Sequence, residues 1–264
     1  MSWKRMGWVW RWVVLVAGIG GWQLWASRAQ SSFFPPPSAI VARMYHVWFS
    51  GPASHLFLTS DATGNILPSL GRVLASLAIA TAIAVPAGIT LGRSPVITAY
   101  LSPLLQFARA LPVVTMAPVF IVLFKLGTQM EIATIVFGTI WPILLNTIDG
   151  AASVDPVQLE TARAFRMSAW ERLVRVIIPA ALPKTFAGFR LSLSLSLILM
   201  VFSELVGSSD GIGYEMSNAS NSFDMTLLWS TIVLLGILGY LLNELLSGTE
   251  RLVLGWHINN RERD

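Results

Sequence analysis

The stretch LGRVLASLAIATAIAVPAGITL, residues 70–91, contains a single charged side chain, that of Arg72. A helix needs about 20 mostly apolar residues to cross a bilayer, so this stretch is long enough for one span. Five more segments of similar character lie at about 8–25, 101–124, 130–149, 188–207 and 227–247. The sequence therefore predicts an all-α polytopic membrane protein with six transmembrane helices.

The overall composition supports a membrane protein and excludes several other classes. Of 264 residues, 54% are hydrophobic and only 12% are charged, whereas soluble domains carry about 25% charged residues. The chain has no cysteine, which excludes disulfide bonds, thiolate catalysis and cysteine-ligated zinc. His46, His55 and His257 do not have the spacing of metal ligands. We therefore expect no catalytic, cofactor-binding or metal site in this chain.

The distribution of basic residues orients the predicted spans. An even number of spans places both termini on the same side of the membrane. That side receives thirteen of the 18 basic residues: Lys4, Arg5, Arg11, Arg93, Arg163, Arg166, Arg172, Arg175, Lys184, Arg190, Arg251, Arg261 and Arg263. The opposite side receives only Arg28, Arg43 and Lys125. Cytoplasmic loops are enriched in lysine and arginine, so we expect both termini in the cytoplasm and no binding to nucleic acid.

The apolar segments divide the chain into four regions. They are a cytoplasmic N-terminus with the first helix (1–27), an external segment (28–66), a core of five spans (67–248) and a cytoplasmic tail (249–264). In the external segment, Ile40, Met44, Val47 and Trp48 recur at helical spacing, which predicts an amphipathic helix on the outer surface.

The first apolar segment has two interpretations. Ser27-Arg28-Ala29 offers small residues at the spacing that a signal peptidase uses, so the segment could be a cleaved leader. Five tryptophans between Trp8 and Trp25 are instead typical of the anchors of a membrane-spanning helix. We favour an uncleaved first helix.

A polar loop, residues 150–187, lies between the fourth and fifth spans on the predicted cytoplasmic side. Asp155 is a predicted N-cap, with Pro156 at the first helical position and Gln158 closing a capping box. A second cap and box follow at Ser168 and Glu171. The loop therefore predicts two short helices, a structure typical of a docking element rather than of an active site.

The same loop contains a predicted break and a predicted end. The break between the two helices falls near Arg166 and Met167, and Pro179 and Pro183 are expected to end the second helix.

No Gly-Lys-Ser/Thr phosphate-binding loop is found in the sequence; the glycine cluster at 207–213 lacks that ending. Any ATP hydrolysis must therefore take place on a partner.

At these residues the chain resembles the permease subunits of bacterial ABC importers. The cytoplasmic signature of that family reads here as Glu160-Thr161-Ala162, then Arg166 at the position of a glycine, then Val176, Ile178 and Pro179. Further similarities are Pro35-Pro36-Pro37-Ser38, Ser69-Leu70-Gly71-Arg72, and Glu204 followed by Gly211-Ile212-Gly213-Tyr214. The resemblance covers roughly residues 30–256 and is to the permeases for nitrate, sulfonate and taurine in particular.

The resemblance implies a type I importer in the bacterial inner membrane. Its expected partners are two ABC ATPase subunits, a second permease copy, an extracytoplasmic solute-binding protein and the lipid bilayer. A homodimer is expected, although a different second permease is also compatible with the sequence. No cofactor is expected on this chain, since the partner ATPase would use the ATP.

The resemblance also assigns a role to the loop as the element that couples ATPase motion to the membrane helices. The residues carried over are Glu160, Thr161, Ala162, Arg163, Arg166, Val176, Ile178 and Pro179. Arg166 departs from the family pattern, because a glycine at a helix break often has a left-handed conformation. That conformation costs another residue roughly 1 kcal/mol or more. Either the two helices join differently here or Arg166 tolerates the strain.

Two questions stay open in the sequence, the rival function and the substrate. A secondary transporter or channel without an ATPase would use buried acids such as Glu204 or Glu244, although both fall near span ends, where side chains reach the interface. A small anion such as a sulfonate, taurine or nitrate is the expected substrate. Arg109 and Glu204 are candidate residues of its path, although for Arg109, as for Lys125, we favour a role as an interfacial anchor.

Overall fold

The computed structural model describes residues 3–29, 31–55 and 57–261, and all regular structure within them is helical. Arg263, which the charge count places in the cytoplasm, lies outside the described residues. The helices are α1 (Trp3–Ala29), α2 (Pro37–Met44), α3 (Ser60–Gly92), α4 (Pro95–Ala110), α5 (Val113–Phe124), α6 (Thr128–Ala152), α7 (Pro156–Ala164), α8 (Ala169–Arg172), α9 (Ile178–Gly207), α10 (Ile212–Asn221) and α11 (Met225–Arg261). A π-helical turn, Tyr45–Phe49, follows α2, and a second, Leu173–Ile177, joins α8 to α9.

The chain divides into two compact units, the first formed by Met1–Pro68 and Asp210–Ile237. An aromatic cluster packs within this unit: the rings of Trp22 and Trp229 are 5.3 Å apart, and those of Trp25 and Phe34 are 5.9 Å apart. The indole nitrogen of Trp229 donates a hydrogen bond to the carbonyl oxygen of Phe33 at 2.9 Å. Tryptophans of the first predicted span therefore contact other aromatic residues of the unit.

The second unit, Ser69–Ser209 and Leu238–Asp264, contains most of the predicted membrane core. Its helices α6 and α9 pack backbone against backbone where glycine leaves room. A Cβ atom added at Gly188 would lie 2.5 Å from the carbonyl oxygen of Pro142, and one at Gly150 would lie 2.8 Å from that of Ala181. Small residues at helix contacts permit this close approach, which supplies packing energy inside a membrane.

Four helical segments among the described residues are long and apolar enough to cross a membrane: Ser60–Gly92, Thr128–Ala152, Ala169–Gly207 and Met225–Gly255. A fifth candidate is the pair α4 and α5, which meet at 90°. Helix α1 has 27 residues but is not among these candidates. The all-α membrane fold is confirmed, whereas the count of six spans and the side of the termini stay predictions.

The predicted span over 101–124 is formed by two helices that meet at 90°. The helix stops at Ala110 and restarts at Val113, and Leu111 has the extended values φ −67° and ψ 121°. Pro112 explains the break, because its ring disfavours the helical conformation for the residue before it. Pro112 then serves as the N-cap residue of α5.

The predicted end of the second loop helix at Pro179 and Pro183 is wrong. The helical segment runs from Ala169 to Gly207 without interruption, with Pro183 inside α9. The π-helical turn Leu173–Ile177 lies directly before Pro179. A wider turn accommodates the ring and the missing N–H of a proline, so the loop helix continues into the following span.

Candidate functional site

The predicted docking loop begins with α7, whose first turn is capped by Asp155. One carboxylate oxygen of Asp155 accepts a hydrogen bond from the backbone N–H of Val157 at 2.8 Å, and Pro156 occupies the first helical position. Among the described residues, Gln158 makes no return bond to Asp155, so the predicted capping box is absent here. A single side-chain cap is sufficient to begin this helix.

The second short helix, α8, begins with a complete capping box. The backbone N–H of Ser168 donates to the carboxylate of Glu171 at 2.8 Å, and the N–H of Glu171 donates to the hydroxyl of Ser168 at 3.2 Å. The backbone N–H and then the hydroxyl of Ser168 lower the pKa of the Glu171 carboxyl, and the nearby charge of Arg175 adds a smaller effect. Glu171 is therefore held in its charged form at neutral pH.

Arg166 adopts the left-handed conformation that a glycine usually takes at this position. Its φ is +56°, and the N–H of Met167 donates to the carbonyl of Ala162 at 3.0 Å while the N–H of Arg166 donates to that of Arg163 at 2.8 Å. This pair of hydrogen bonds is the Schellman arrangement that ends helices. Of the two possibilities in the sequence, the structure selects the strained arginine rather than a different junction.

The junction between α7 and α8 turns charged and aromatic side chains towards solvent. Glu160, Arg163 and Arg166 are exposed, as are 79% of Phe165 and 70% of Trp170. Large aromatic residues that are this exposed are of the kind that anchor contacts with another protein.

The remaining residues of the predicted coupling set lie behind these exposed side chains. Ala162 is buried, while Val176, Ile178 and Pro179 are half-buried along the π-helical turn and the start of α9. A cleft of about 620 Å³ lies between α7 and this turn, and its lining includes Thr161, Arg175, Val176 and Pro179. The fold thus brings the two halves of the signature, which are separated in the sequence, to one place.

A second constellation is a buried charge cluster that joins α3, α6 and α9. The guanidinium Nε of Arg72 is 2.5 Å from Glu131, and its Nη1 is 2.7 Å from Glu204. The hydroxyl of Ser69 donates to the same Glu204 carboxylate at 2.7 Å. These side chains are at most 5% exposed.

The placement of Glu204 differs from the sequence interpretation, in which it reaches out to the interface. It is buried and ion-paired, because Arg72 and Ser69 from α3 satisfy the carboxylate inside the protein. Glu131 was not identified from the sequence at all. One signal could have found both: charged residues inside membrane segments are costly, so an arginine in one span implies acidic partners in others.

Of the two candidate path residues, Glu204 belongs to this cluster, whereas Arg109 is not linked to it. Arg109 is exposed in the last turn of α4, directly before the break at Leu111. Lys125 is exposed at the end of α5, where it has φ +62°. Within the described part of the chain, no hydrogen bond or ion pair links Arg109 or Lys125 to Glu204.

Comparison with known proteins identifies the family. The profile of the family described as the binding-protein-dependent transport system inner membrane component matches residues 84–252. The chain belongs to this family. It is therefore an inner-membrane permease subunit of an ABC importer, and ATP is hydrolysed on a separate ATPase subunit. An ATPase and a solute-binding protein are its partners.

Individual relatives extend the match over most of the permease. SsuC of Bacillus subtilis, named as an aliphatic sulfonates transport permease, is 28% identical over 96% of this chain and 89% of its own length. The taurine transport system permease TauC of Escherichia coli is 26% identical over 85% and 80% of the two chains. The bicarbonate transport system permease CmpB of Synechococcus elongatus is 31% identical over 71% and 68%.

The fold of the permease is also found among solved structures. Two crystal forms of the inward-facing MetNI methionine ABC transporter match 72% of this chain and 94% of theirs, with TM-scores of 0.61 and 0.62. Sequence identity in these matches is 21% and 19%, so the similarity is one of fold.

Proposed function

We propose that this permease forms the membrane path for a small anion and that its loop 150–187 transmits the motion of the ATPase to the membrane helices. The observation that supports this most directly is the strained, fully hydrogen-bonded turn at Arg166. Two caps and a Schellman turn satisfy backbone groups at the start of α7, at the start of α8 and at the junction between them with hydrogen bonds from the chain itself. A preformed element loses little conformational entropy when it docks.

The composition of the loop surface supports docking against another protein. Phe165 and Trp170 are large and exposed, and interfaces obtain most of their binding energy from a few such aromatic anchors. Glu160, Arg163 and Arg166 add exposed charge of both signs to the same loop. Rim charges of this kind select the partner and its orientation.

The connection from the loop to the membrane supports transmission of motion. Helix α8 continues through the π-helical turn into α9 as one helical segment from Ala169 to Gly207. A displacement of α8 by the ATPase is therefore carried along α9, whose far end contains Glu204. Val176, Ile178 and Pro179 form the start of this connection.

The substrate class is inferred from the names of the relatives. Aliphatic sulfonates, taurine and bicarbonate share a small anionic oxygen-bearing group, and nitrate has the same character. We propose a substrate of this class, delivered by the solute-binding protein. Arg109 and Glu204 stay candidate residues of the path, and of the two only Arg109 is exposed.

The proposed assembly contains two copies of this permease and two ATPase subunits. Each copy would cross the membrane six times with both termini in the cytoplasm, within the four regions 1–27, 28–66, 67–248 and 249–264. Membership of the family argues against a secondary transporter. The ion pair between Arg72 and Glu204 supports the same conclusion, because Arg72 already neutralises the carboxylate that such a transporter would use.

Charge reversal in the loop tests the coupling role. Arg166→Glu and Glu160→Arg should each reduce co-purification of the ATPase and lower binding-protein-stimulated ATP hydrolysis, because a rim charge of the wrong sign is repelled. Arg251→Glu is a matched control, since Arg251 is exposed on α11 outside the loop. Wild-type association and hydrolysis in both loop variants would show that the loop does not dock on the ATPase.

The substrate class requires a separate experiment. Purified partner binding protein should bind a sulfonate, taurine, nitrate or bicarbonate in titration calorimetry. Proteoliposomes with the complete transporter should then take up that compound when ATP is present. Binding of a cationic or uncharged solute alone would contradict the proposed substrate class.

A further inference from the structure

In the buried cluster, the guanidinium group of Arg72 on α3 contacts Glu131 on α6 and Glu204 on α9. We call this branched contact the fork. The Nε of Arg72 faces Glu131 and its Nη2 lies 3.4 Å from Thr128 Oγ1, both on the first turn of α6. Its Nη1 faces Glu204 on the last turn of α9. Arg72 and Ser69 are three residues apart on α3 and therefore lie on one face of that helix.

Stability alone does not account for this cluster. Replacing a buried ion pair by apolar side chains of similar volume is commonly neutral or stabilising, because desolvation of the charges cancels their attraction. The helices of the cluster also have steric contacts elsewhere, such as Gly88 on α3, where an added Cβ would lie 2.6 Å from that of Thr147 on α6. The fork therefore determines how the three helices are placed and contributes little to the stability of their contact.

Two parts of α3 are held in different ways, the part near Gly88 and the part near Arg72. Near Gly88, the contact of α3 with α6 is close and purely steric. Near Arg72, the contacts are ion pairs, of which the one to Glu204 is also a hydrogen bond, and each carboxylate offers several acceptor positions. A guanidinium between two carboxylates can change its bond to one of them while the other carboxylate still neutralises its positive charge.

We infer that Arg72 is a positioning residue for transport, whose fork to Glu131 and Glu204 guides the movement of α9 against α3 and α6. This inference rests on the proposed function, because α9 carries the ATPase motion from α8 to Glu204. Movement of α9 changes the bond to Glu204 while the bond to Glu131 keeps the arginine in place.

The substitution Arg72→Lys tests the fork directly. Lysine keeps the positive charge but is a point charge without planar, divergent donors. In proteoliposomes with ATPase and binding protein, the ratio of stimulated to basal ATP hydrolysis should fall by roughly tenfold. Arg190→Lys is the matched control, because Arg190 forms a half-exposed pair with Glu250 between α9 and α11. Its ratio should stay within about twofold of the wild-type value.

A charge-free variant keeps the inference testable where the lysine variant does not assemble. The triple change Arg72→Met, Glu131→Gln and Glu204→Gln removes all three charges together, so none is left buried without a partner. It should assemble with a Tm close to that of the wild type and still lose the stimulated hydrolysis. A stable triple variant with wild-type stimulation and uptake would show that the cluster is only structural.

The wild-type complex distinguishes failure of this inference from failure of the proposed function. A wild type that shows stimulated hydrolysis and uptake, beside variants with the same ratio, overturns only the role of Arg72. A wild type without stimulation by any binding protein overturns the proposed function and this inference with it.

Discussion

Ser168 and Glu171 exchange two hydrogen bonds across the first turn of α8, the backbone N–H of each donating to the side chain of the other. Because a carboxylate is a stronger acceptor than a protonated carboxyl, this reciprocal arrangement favours the charged form of Glu171. The turn that follows the left-handed Arg166 is therefore held by an ionisable group at the protein surface.

The loop should become less ordered in acid. The pKa of Glu171 is lowered in the folded loop, so its contribution is fully present above the ordinary glutamate pKa of about 4.3 and is lost as the pH falls through the folded value. Hydrogen exchange of residues 168–172, corrected for intrinsic rates, should show falling protection below about pH 4.

Two variants control this measurement. Glu171→Gln keeps a side-chain oxygen that accepts the bond but cannot titrate, so its protection should not change over the same pH range. Ser168→Ala removes the hydroxyl and should cost about 1 kcal/mol of local stability at neutral pH. An acid transition that persists in Glu171→Gln would assign it to another group.

Arg166→Gly should preserve transport and stabilise the junction of α7 and α8. The left-handed conformation costs a non-glycine residue roughly 1–2 kcal/mol, and glycine avoids this cost. The greater freedom of glycine in the unfolded chain offsets part of the resulting gain in stability. We expect a net gain of at most about 1 kcal/mol, measured as slower exchange of the Arg166 and Met167 amides.

A neutral pair of variants separates backbone strain from loss of charge at this position. Arg166→Asn places a residue that tolerates φ +56°, whereas Arg166→Val places a β-branched residue that does not. Asparagine should therefore protect the junction better than valine. Equal protection in both would contradict the strain argument.

Gly188→Ala should disrupt the contact between α6 and α9. The added methyl group would meet the Pro142 carbonyl and the Asn146 side chain, and overpacking of this kind costs about 1–3 kcal/mol. The Tm in detergent should fall. Gly236→Ala on α11 is the control, since a Cβ atom added there would meet no neighbouring atom within 4 Å and alanine favours a helix.

Cysteine labelling should establish the orientation of the permease. The chain has no native cysteine, so single cysteines at Ser54 and Ser168, both exposed, report independently. An impermeant thiol reagent applied to intact cells should label position 54 and not position 168. Labelling of position 168 from outside would contradict both the cytoplasmic assignment of the loop and its docking on the ATPase.

Local sequence determined the helical membrane class and much of the loop. Asp155 and Ser168 cap helices in the structure as predicted, because an N-cap depends on contacts with residues two or three positions away. The helix break near Arg166 and Met167 was predicted for the same reason, whereas the departure at Arg166 itself was recognised from the resemblance to the family. These features depend on neighbouring residues, which a sequence displays directly.

Only the tertiary structure decided how distant residues meet. Arg72, Glu131 and Glu204 are far apart in the sequence, and their individual positions near helix ends were compatible with contact to the membrane interface. The bend after Ala110 and the continuation of α9 through Pro183 likewise depended on neighbours, because a proline in a membrane helix can break, bend or be accommodated. Each outcome depends on which groups satisfy the backbone, and only packing decides that.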